Sequence, residues 1–445
     1  MTMHDDLGLA LSGADTGSMA HYRRALRQFQ CYIEDPVAST EAALAQRPDF
    51  VMAHVLKAWL HLLGTEPAGI PVARECHVTA TQLPANARER GHLAAIGYLL
   101  EGKWHKAARI LEDVVIDNPR DILALQAGHL TDFYVGNARM LRDRIARAFP
   151  FWSHNMPGYH AVRGMLAFGL EENGDYTGAE AHGRAGVELE PRDGWAQHAV
   201  AHVMEMQGRE RDGIAWMRAK PAAWSTDSFF RVHNWWHLAL YHLELAETDE
   251  VLALYDGPIR SERSVVILDM IDASAMLWRL ALRGIDTGTR WQALADDWKA
   301  HYSGGGYAFN DLHAAMAYAG AGRFEEIDAI LAAQQAAMCR ATDNASFTRQ
   351  IGQPLVLAIQ AFGQGRYHDT IQLIRNVREI AHRFGGSHAQ RNVLDLTLIE
   401  SALRSGQQML ATALCAERLT TRPHSPFTRQ LMLRAESLNE TPKVA

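Results

Sequence analysis

The sequence is poor in the features that announce most classes of function. Its 445 residues include four cysteines, Cys31, Cys76, Cys339 and Cys415, far apart and without a CxxC, which excludes a disulfide framework and a thiolate metal site. Lysine occurs only six times, and 51 acidic residues outnumber 44 basic ones, so a general nucleic-acid or anionic-membrane binder is disfavoured. No apolar run reaches the roughly 18 residues of a membrane span. The opening MTMHDDLGLALSGADTGS is acidic where a signal peptide needs basic residues, so a soluble, cytoplasmic protein is expected. GxSxG, HExxH and P-loop patterns are missing, which removes specific support for a serine nucleophile, a zincin or a nucleotide site. With 48% apolar residues the chain is far from wholesale disorder.

What the chain does have is a repeated phrase. Gly102-Lys-Trp104-His-Lys-Ala107 is echoed by Gly174-Asp-Tyr176-Thr-Gly-Ala179, and looser copies start at Gly322, Gly365 and Gly406. Pro119, Pro191 and Pro423 each follow their glycine by 17 residues. The glycine turns one helix into the next, the aromatic packs at the hairpin, and the proline stops the second helix. Weaker turns at Gly64, Gly136, Gly208, Thr248 and Gly284 complete a series spaced 38, 34, 38, 34, 40, 36, 38, 43 and 41 residues. The periodicity is helical throughout. It predicts an all-α, tetratricopeptide-like superhelix of about ten to eleven hairpins over residues 20–435, with tails at 1–19 and 436–445.

In such an array the first helix of each hairpin (A) lines a concave or enclosed lumen. The expected A helices are 49–63, 87–100, 121–135, 159–172, 193–207, 229–246, 264–283, 307–320, 347–363 and 387–404, with an earlier one near 20–33. The ten later helices hold 12 of the 22 histidines. Longer connections are expected at 147–158 and 284–306.

Two neighbouring A helices each carry a His-x-x-x-His pair, His198/His202 and His233/His237. Residues four apart share a helix face, and the pairs are offset by one repeat, so their imidazoles can meet at one point. Three readings stand open: a hydrogen-bonded polar lining, a metal-free catalytic or ligand-binding cluster, and a divalent metal held by the four histidines. No cofactor is expected, and a metal is the weakest of the three because no carboxylate has a customary ligand spacing. Glu205 is placed to orient the cluster. Asp269 and Asp272 lie in an otherwise apolar helix and need partners, either an imidazole across the lumen or Arg279 and Arg283. Asn310, Asp311 and His313 open the helix after Gly304-Gly305-Gly306, a triplet that reads as a hinge, with Asp311 a possible N-cap. Arg349 and Arg391 suit a ligand's carboxylate or phosphate. Trp195, Trp235 and Trp236 either pack or wall a ligand.

At HAVAHVMEM and HNWWHLAL the sequence resembles the tetratricopeptide repeat protein 38 family. The likeness runs on through DASAMLWRL, GTRWQAL, FNDLHAAMA and IGQPL to FGGSHAQRNV, and is strongest over residues 150–405. The family pattern matches at His198, His202, Glu205, His233, Asn234, Trp236, His237, Asp269, Asp272, Asn310, Asp311, His313, Pro354, Gln390 and Arg391. The resemblance implies the fold and these special positions, not a reaction.

The expected function is therefore an enzyme or small-molecule binder. His198, His202, His233, His237, Asp272, Asp311 and His313 are the catalytic candidates; Asn234, Trp236, Asp269, Asn310, Arg349 and Arg391 are the substrate-binding ones. Hydrolysis, hydration or elimination on a small polar substrate is the expected chemistry. The alternative is an interaction scaffold holding a peptide in the groove, although only Lys57 among the lysines falls on an A helix. Nucleic-acid and membrane partners are not expected; a homodimer is compatible with the sequence.

Overall fold

In the computed structural model, which describes residues 3–438, the chain is a succession of helical hairpins. They run α1 Thr16–Cys31, α2 Pro36–Gln46, α3 Val51–Leu62, α4 Gly69–Thr81, α5 Ala87–Leu100, α6 Trp104–Asp117, α7 Ile122–Tyr134, α8 Ala138–Ala148, α9 Tyr159–Glu171, α10 Tyr176–Leu189, α11 Gly194–Met206 and α12 Glu210–Ala219. After a short α13, Pro221–Ser225, come α14 Arg231–Glu244, α15 Thr248–Leu254, α16 Ile267–Leu282, α17 Arg290–His301, α18 Ala308–Gly320 and α19 Phe324–Met338. The series closes with α20 Asp343–Phe347, α21 Gln353–Gly363, α22 Tyr367–Arg375, α23 His388–Arg404, α24 Gln408–Thr421 and α25 Pro426–Ser437. Among the described residues the one sheet is a hairpin of β1 Met3–His4 and β2 Ala10–Leu11. No helix is long and apolar enough to cross a membrane. The architecture is all-α and TPR-like. Most of the C-terminal tail expected at 436–445 lies outside the described residues.

The turns are built as the repeated phrase requires. Gly102, Gly136, Gly174, Gly208, Gly284, Gly322, Gly365 and Gly406 all have φ between 65° and 82°, the left-handed region. The residue after each closes back on the carbonyl five positions earlier, as in Lys103 N–H to Tyr98 O at 2.9 Å and Asp175 N–H to Leu170 O at 3.0 Å. This is the Schellman closure of a helix C-terminus. A Cβ on Gly174 would meet nothing within 4 Å, so the demand there is conformational rather than steric. Where the phrase is weakest, a non-glycine takes the left-handed position: Thr65 in place of Gly64, and Ala246 two residues before Thr248. Each of the three prolines sits two residues beyond a helix end, after Asp117, Leu189 and Thr421.

Three local expectations are corrected. Residues 284–306 are not one long connection, because α17 occupies Arg290–His301. The helix expected at 347–363 starts earlier: α20 passes through a wide π-type turn at Thr348–Gly352 into α21. The glycine triplet is a fastened turn, not a hinge. Gly305 N–H donates to Asp311 Oδ1 at 2.9 Å, Asn344 Nδ2 donates to Gly305 O at 3.2 Å, and a Cβ at Gly304 would strike Ile330 at 2.8 Å.

The helices gather into two compact units, Met1–Val203 with Ala219–Asn234, and Met204–Arg218 with Trp235–Ala445. Within each, A helices are enclosed. Every residue of α7 from Ile122 to Asp132 is buried, whereas α6 buries only a stripe of Ala107, Ala108, Leu111, Val114 and Val115. Polar groups in A helices must therefore be satisfied by neighbouring repeats. In the first unit Asp121 Oδ2 accepts from Arg88 at 2.7 Å and from His92 Nε2 at 3.0 Å, while Trp59 Nε1 donates to His92 Nδ1 at 3.2 Å. Burial opposes ionisation of Asp121, but His92 and Arg88 prevail and hold it well below the usual carboxylate range. Breaking a buried pair strands a charge, so Asp121→Asn is expected to cost about 3–5 kcal/mol in urea unfolding. A loss under about 1 kcal/mol would show that the network is incidental.

Candidate functional site

The histidine-bearing helices of the first unit are held in register at their starts. Asp193 Oδ1 accepts the Ala196 N–H at 2.9 Å at the opening of α11, and Asp193 Oδ2 meets His160 Nδ1 at 2.7 Å. Asn234, fully buried on α14, donates from Nδ2 to the Gly194 carbonyl at 3.3 Å and so pins α14 to the first residue of α11. On the other side, Gly164 lets α9 approach: a Cβ there would meet Ala196 at 3.1–3.2 Å. Phe168 and Glu171 follow Gly164 on the same face of α9.

These clasps bring three imidazoles together. His198 Nε2 and His233 Nε2 are 3.1 Å apart, and the His202 ring stands edge-on to His198 with centroids 4.3 Å apart. One ligand nitrogen from each of His198, His202 and His233 lies within 4.8 Å of the others. All three are buried (2%, 0% and 4% exposed). Glu171 Oε2 lies 3.6 Å from His202 Nδ1, and Glu172 is buried beside it. The walls are aromatic. Phe168 stacks on His198 at 5.4 Å, Phe230 meets it edge-on at 5.0 Å, and Trp195 lies at 5.1 Å. Trp195 in turn stacks on Tyr32, whose neighbour Ile33 bridges Ser228, so the start of the chain backs the site.

Two imidazole nitrogens at hydrogen-bond distance share one proton between them, which makes a donor–acceptor pair shielded from water. The same nitrogens fit a second use. Imidazole donors with a nearby carboxylate suit a first-row divalent metal, and bonds of about 2.0–2.1 Å place tetrahedral ligands roughly 3.3 Å apart.

His237, one turn beyond His233 on α14, belongs to the second unit, where its Nδ1 donates to Glu205 Oε2 at 3.2 Å. Burial works against the Glu205 charge, but the hydrogen bond from His237 and the charge of Arg422, 3.3 Å from Oε1, bring its pKa down to about 2. Trp236 is fully buried beneath the Arg279 guanidinium, 5.3 Å from the ring centroid. Asp269, Asp272 and Asn310 are buried in α16 and α18. Arg279 and Arg283, the arginines expected to answer these aspartates, are engaged elsewhere. Arg279 donates to the carbonyls of Ala275, Ala389 and Gln390, and Arg283 to Leu243 O and towards Glu244. Asp311 caps no helix end; it accepts from Tyr302 Oη at 2.6 Å, Gln334 at 3.0 Å and Gly305. His313 Nδ1 bonds Phe309 O at 2.8 Å, and burial takes its pKa down to about 4. Arg349 is exposed and donates to Met338 O at 2.7 Å, while Arg391 bonds the Gly386 carbonyl.

Sequence reasoning missed Glu171, Glu172 and His129. The acidic pair did leave a signal: two glutamates at a helix C-terminus oppose the macrodipole, a placement that suggests a tertiary reason. His129 packs edge-on against Phe168 and Trp195 at 5.9 and 5.7 Å. Burial, reinforced by the charge of Arg144, takes its pKa down to about 3.

The fold defines the class, a TPR-like all-α repeat protein. No protein-family model matches the chain. Among solved structures it is similar to a chain of the APC/C hetero-tetramer Cut9-Hcn1, at 12% identity and a TM-score of 0.40, covering 86% of this chain and 62% of that one. It is also similar to a monomeric mutant of IFIT1 with Gppp-AAAA, at 14% identity and TM-score 0.41. The human IFIT1 dimer with m7Gppp-AAAA gives 12% and 0.41; each IFIT1 match covers 96% of this chain and 95% of the other. Such distant likeness says nothing about ligands, and the site rests on its own geometry.

A pH dependence follows from His129. Its folded pKa lies below the unfolded value near 6.5, so the unfolded chain takes up a proton that the native state refuses between pH 6.5 and about 3. The stability it contributes is complete above pH 6.5 and falls on acidification, by at most about 1.4 kcal/mol per pH unit. Urea unfolding at pH 7 and pH 5.5 should show His129→Leu losing less stability than the parent over that step. Equal losses would mean that the imidazole is not kept neutral.

Proposed function

We propose that this chain is a TPR-like protein of the tetratricopeptide repeat protein 38 type that binds a small polar molecule at the histidine cluster of its first unit. Acid–base chemistry of the hydrolysis, hydration or elimination class is the reaction it fits. The observation that carries this reading is the buried His198–His233 pair at 3.1 Å, with His202 edge-on to His198 and Glu171 beside His202. His198 and His233 act as a proton relay, giving a proton to a leaving group or taking one from water. His202, steadied by Glu171, orients or polarises the ligand. Glu205 and His237 form a second buried carboxylate–imidazole pair, which is the other candidate acid–base couple. The walls of Phe168, Phe230 and Trp195 favour a partly apolar ligand and keep bulk water out.

An interaction scaffold with a peptide partner, or a homodimer, is the second reading, favoured by the helical-hairpin repeat itself. The two readings separate experimentally. The full chain should retain or bind a small ligand in native mass spectrometry and turn over a member of an ester, amide and hydroxy-acid panel. His202→Gln and His233→Ala should each reduce turnover by about 10²–10⁴-fold with circular dichroism and Tm nearly unchanged. Variants that simply unfold would make the cluster structural. A stoichiometric protein partner without a small ligand would favour the scaffold. A stoichiometric transition metal, lost in His233→Ala, would assign the imidazoles as its ligands within the same reaction class.

A further inference from the structure

The second unit holds a cleft that borders the Glu205–His237 pair through Arg422 and is lined by none of His198, His202 and His233. It encloses about 520 Å³ between α23, α24 and the segment before α23, and its lining includes Arg378, Arg391, Arg418 and Arg422 against only two acids, Asp395 and Glu417. That volume falls in the roughly 300–1,000 Å³ range of small-molecule sites.

The charges are unevenly settled. Arg378 is engaged by both acids, with Glu417 at 2.8 Å and Asp395 at 3.4 Å, and Arg422 is 3.3 Å from Glu205. Arg418 is 8% exposed, yet no carboxylate lies within ion-pair distance of it among the described residues. Its guanidinium donates to two neutral oxygens, Thr428 Oγ1 at 2.9 Å and Asn392 Oδ1. Those bonds fix the orientation of the fork without neutralising its charge. Burial takes the Arg418 pKa down to about 10, the charge of Arg422 adds to that fall, and Glu244 and Asp395 offset it in part from beyond ion-pair distance. Arg279, 2% exposed in the same unit, likewise donates only to backbone carbonyls and stacks on Trp236. A buried guanidinium without an anion is costly. The repeat stacking nevertheless positions Arg418 beside three further arginines at an open cleft.

We propose that this cleft is a binding site for a small oligo-anion carrying two or more phosphate or carboxylate groups, with Arg418 and Arg391 as its principal ligands. Planar guanidinium forks match both groups bidentately, and two or more anionic groups are needed to engage arginines on α23 and α24 together. None of His198, His202 and His233 lines this cleft, so it serves a second ligand or an effector rather than the reacting group.

The test is calorimetry on the full chain at constant ionic strength. Pyrophosphate and citrate are the two multivalent probes, and acetate and chloride the monovalent controls. At least one multivalent anion should bind tenfold or more tightly than acetate and raise Tm, the better of the two naming the phosphate or carboxylate source. Arg391→Gln, half-buried and outside the core, should weaken that binding at least tenfold. Arg418→Lys, which keeps the charge but loses the fork, should do the same while retaining the parent's circular dichroism. Multivalent anions that bind no better than acetate would overturn the proposal. So would affinity unchanged in Arg391→Gln, or binding confined to a nucleic-acid oligomer or an acidic peptide.

Discussion

An enclosed A helix cannot leave a polar side chain unanswered, and most of this protein follows from that constraint. Helix α7 is buried from Ile122 to Asp132, and α18 from Ala308 to Ala319. Most of the buried charged groups on such helices find a partner, on the next repeat, on the second helix of the same hairpin or, for His313, on a carbonyl of their own helix. The result is a set of cross-repeat clasps, Arg88–Asp121–His92 to Trp59, His160 to Asp193 and His237 to Glu205, with Arg144 bidentate to Asp132 inside one hairpin. Apolar contacts hold the hairpins together but tolerate sliding, whereas these polar pairs admit one register.

The histidine cluster is the place where this rule is taken furthest. His92 and His313 are buried imidazoles answered by a carboxylate and a carbonyl, and His129 is held among aromatic rings. At the cluster one imidazole answers another, inside a cage of Phe168, Phe230 and Trp195. Imidazole pairs are poor structural glue compared with ion pairs, but they are well suited to moving protons. The positioning is indirect: Asn234 spends its amide on the Gly194 carbonyl, and Gly164 yields room for α9. Asn234 thus works as a fastener between the two helices that carry the clustered histidines.

The arginine-lined cleft breaks the same rule in the other direction. Among the described residues Arg418 hydrogen-bonds to neutral oxygens, with Glu244 and Asp395 acting on it from beyond ion-pair distance. Arg88 and Arg144 are paired with carboxylates, whereas among the described residues Arg418, on the cleft wall, has none within ion-pair distance.

Chain-local physics was legible in the sequence. Left-handed glycines at Gly102, Gly174 and Gly322, the prolines two residues past helix ends, and the phase of the A helices all depend on contacts within five residues of one another. The offset of one repeat between His198 and His233 was also readable, because it needs only that adjacent hairpins stack in parallel. What the tertiary structure alone decided are contacts set by the angle and rise between repeats, which no local pattern encodes. Glu171 beside His202, Tyr32 behind Trp195 and Arg279 under the carbonyls of α23 join residues 31, 163 and 110 or more positions apart. The same geometry diverted Asp311 from a helix cap to Tyr302 and Gln334, since a carboxylate buried at a repeat junction is stabilised more by two side-chain donors than by a solvated helix end.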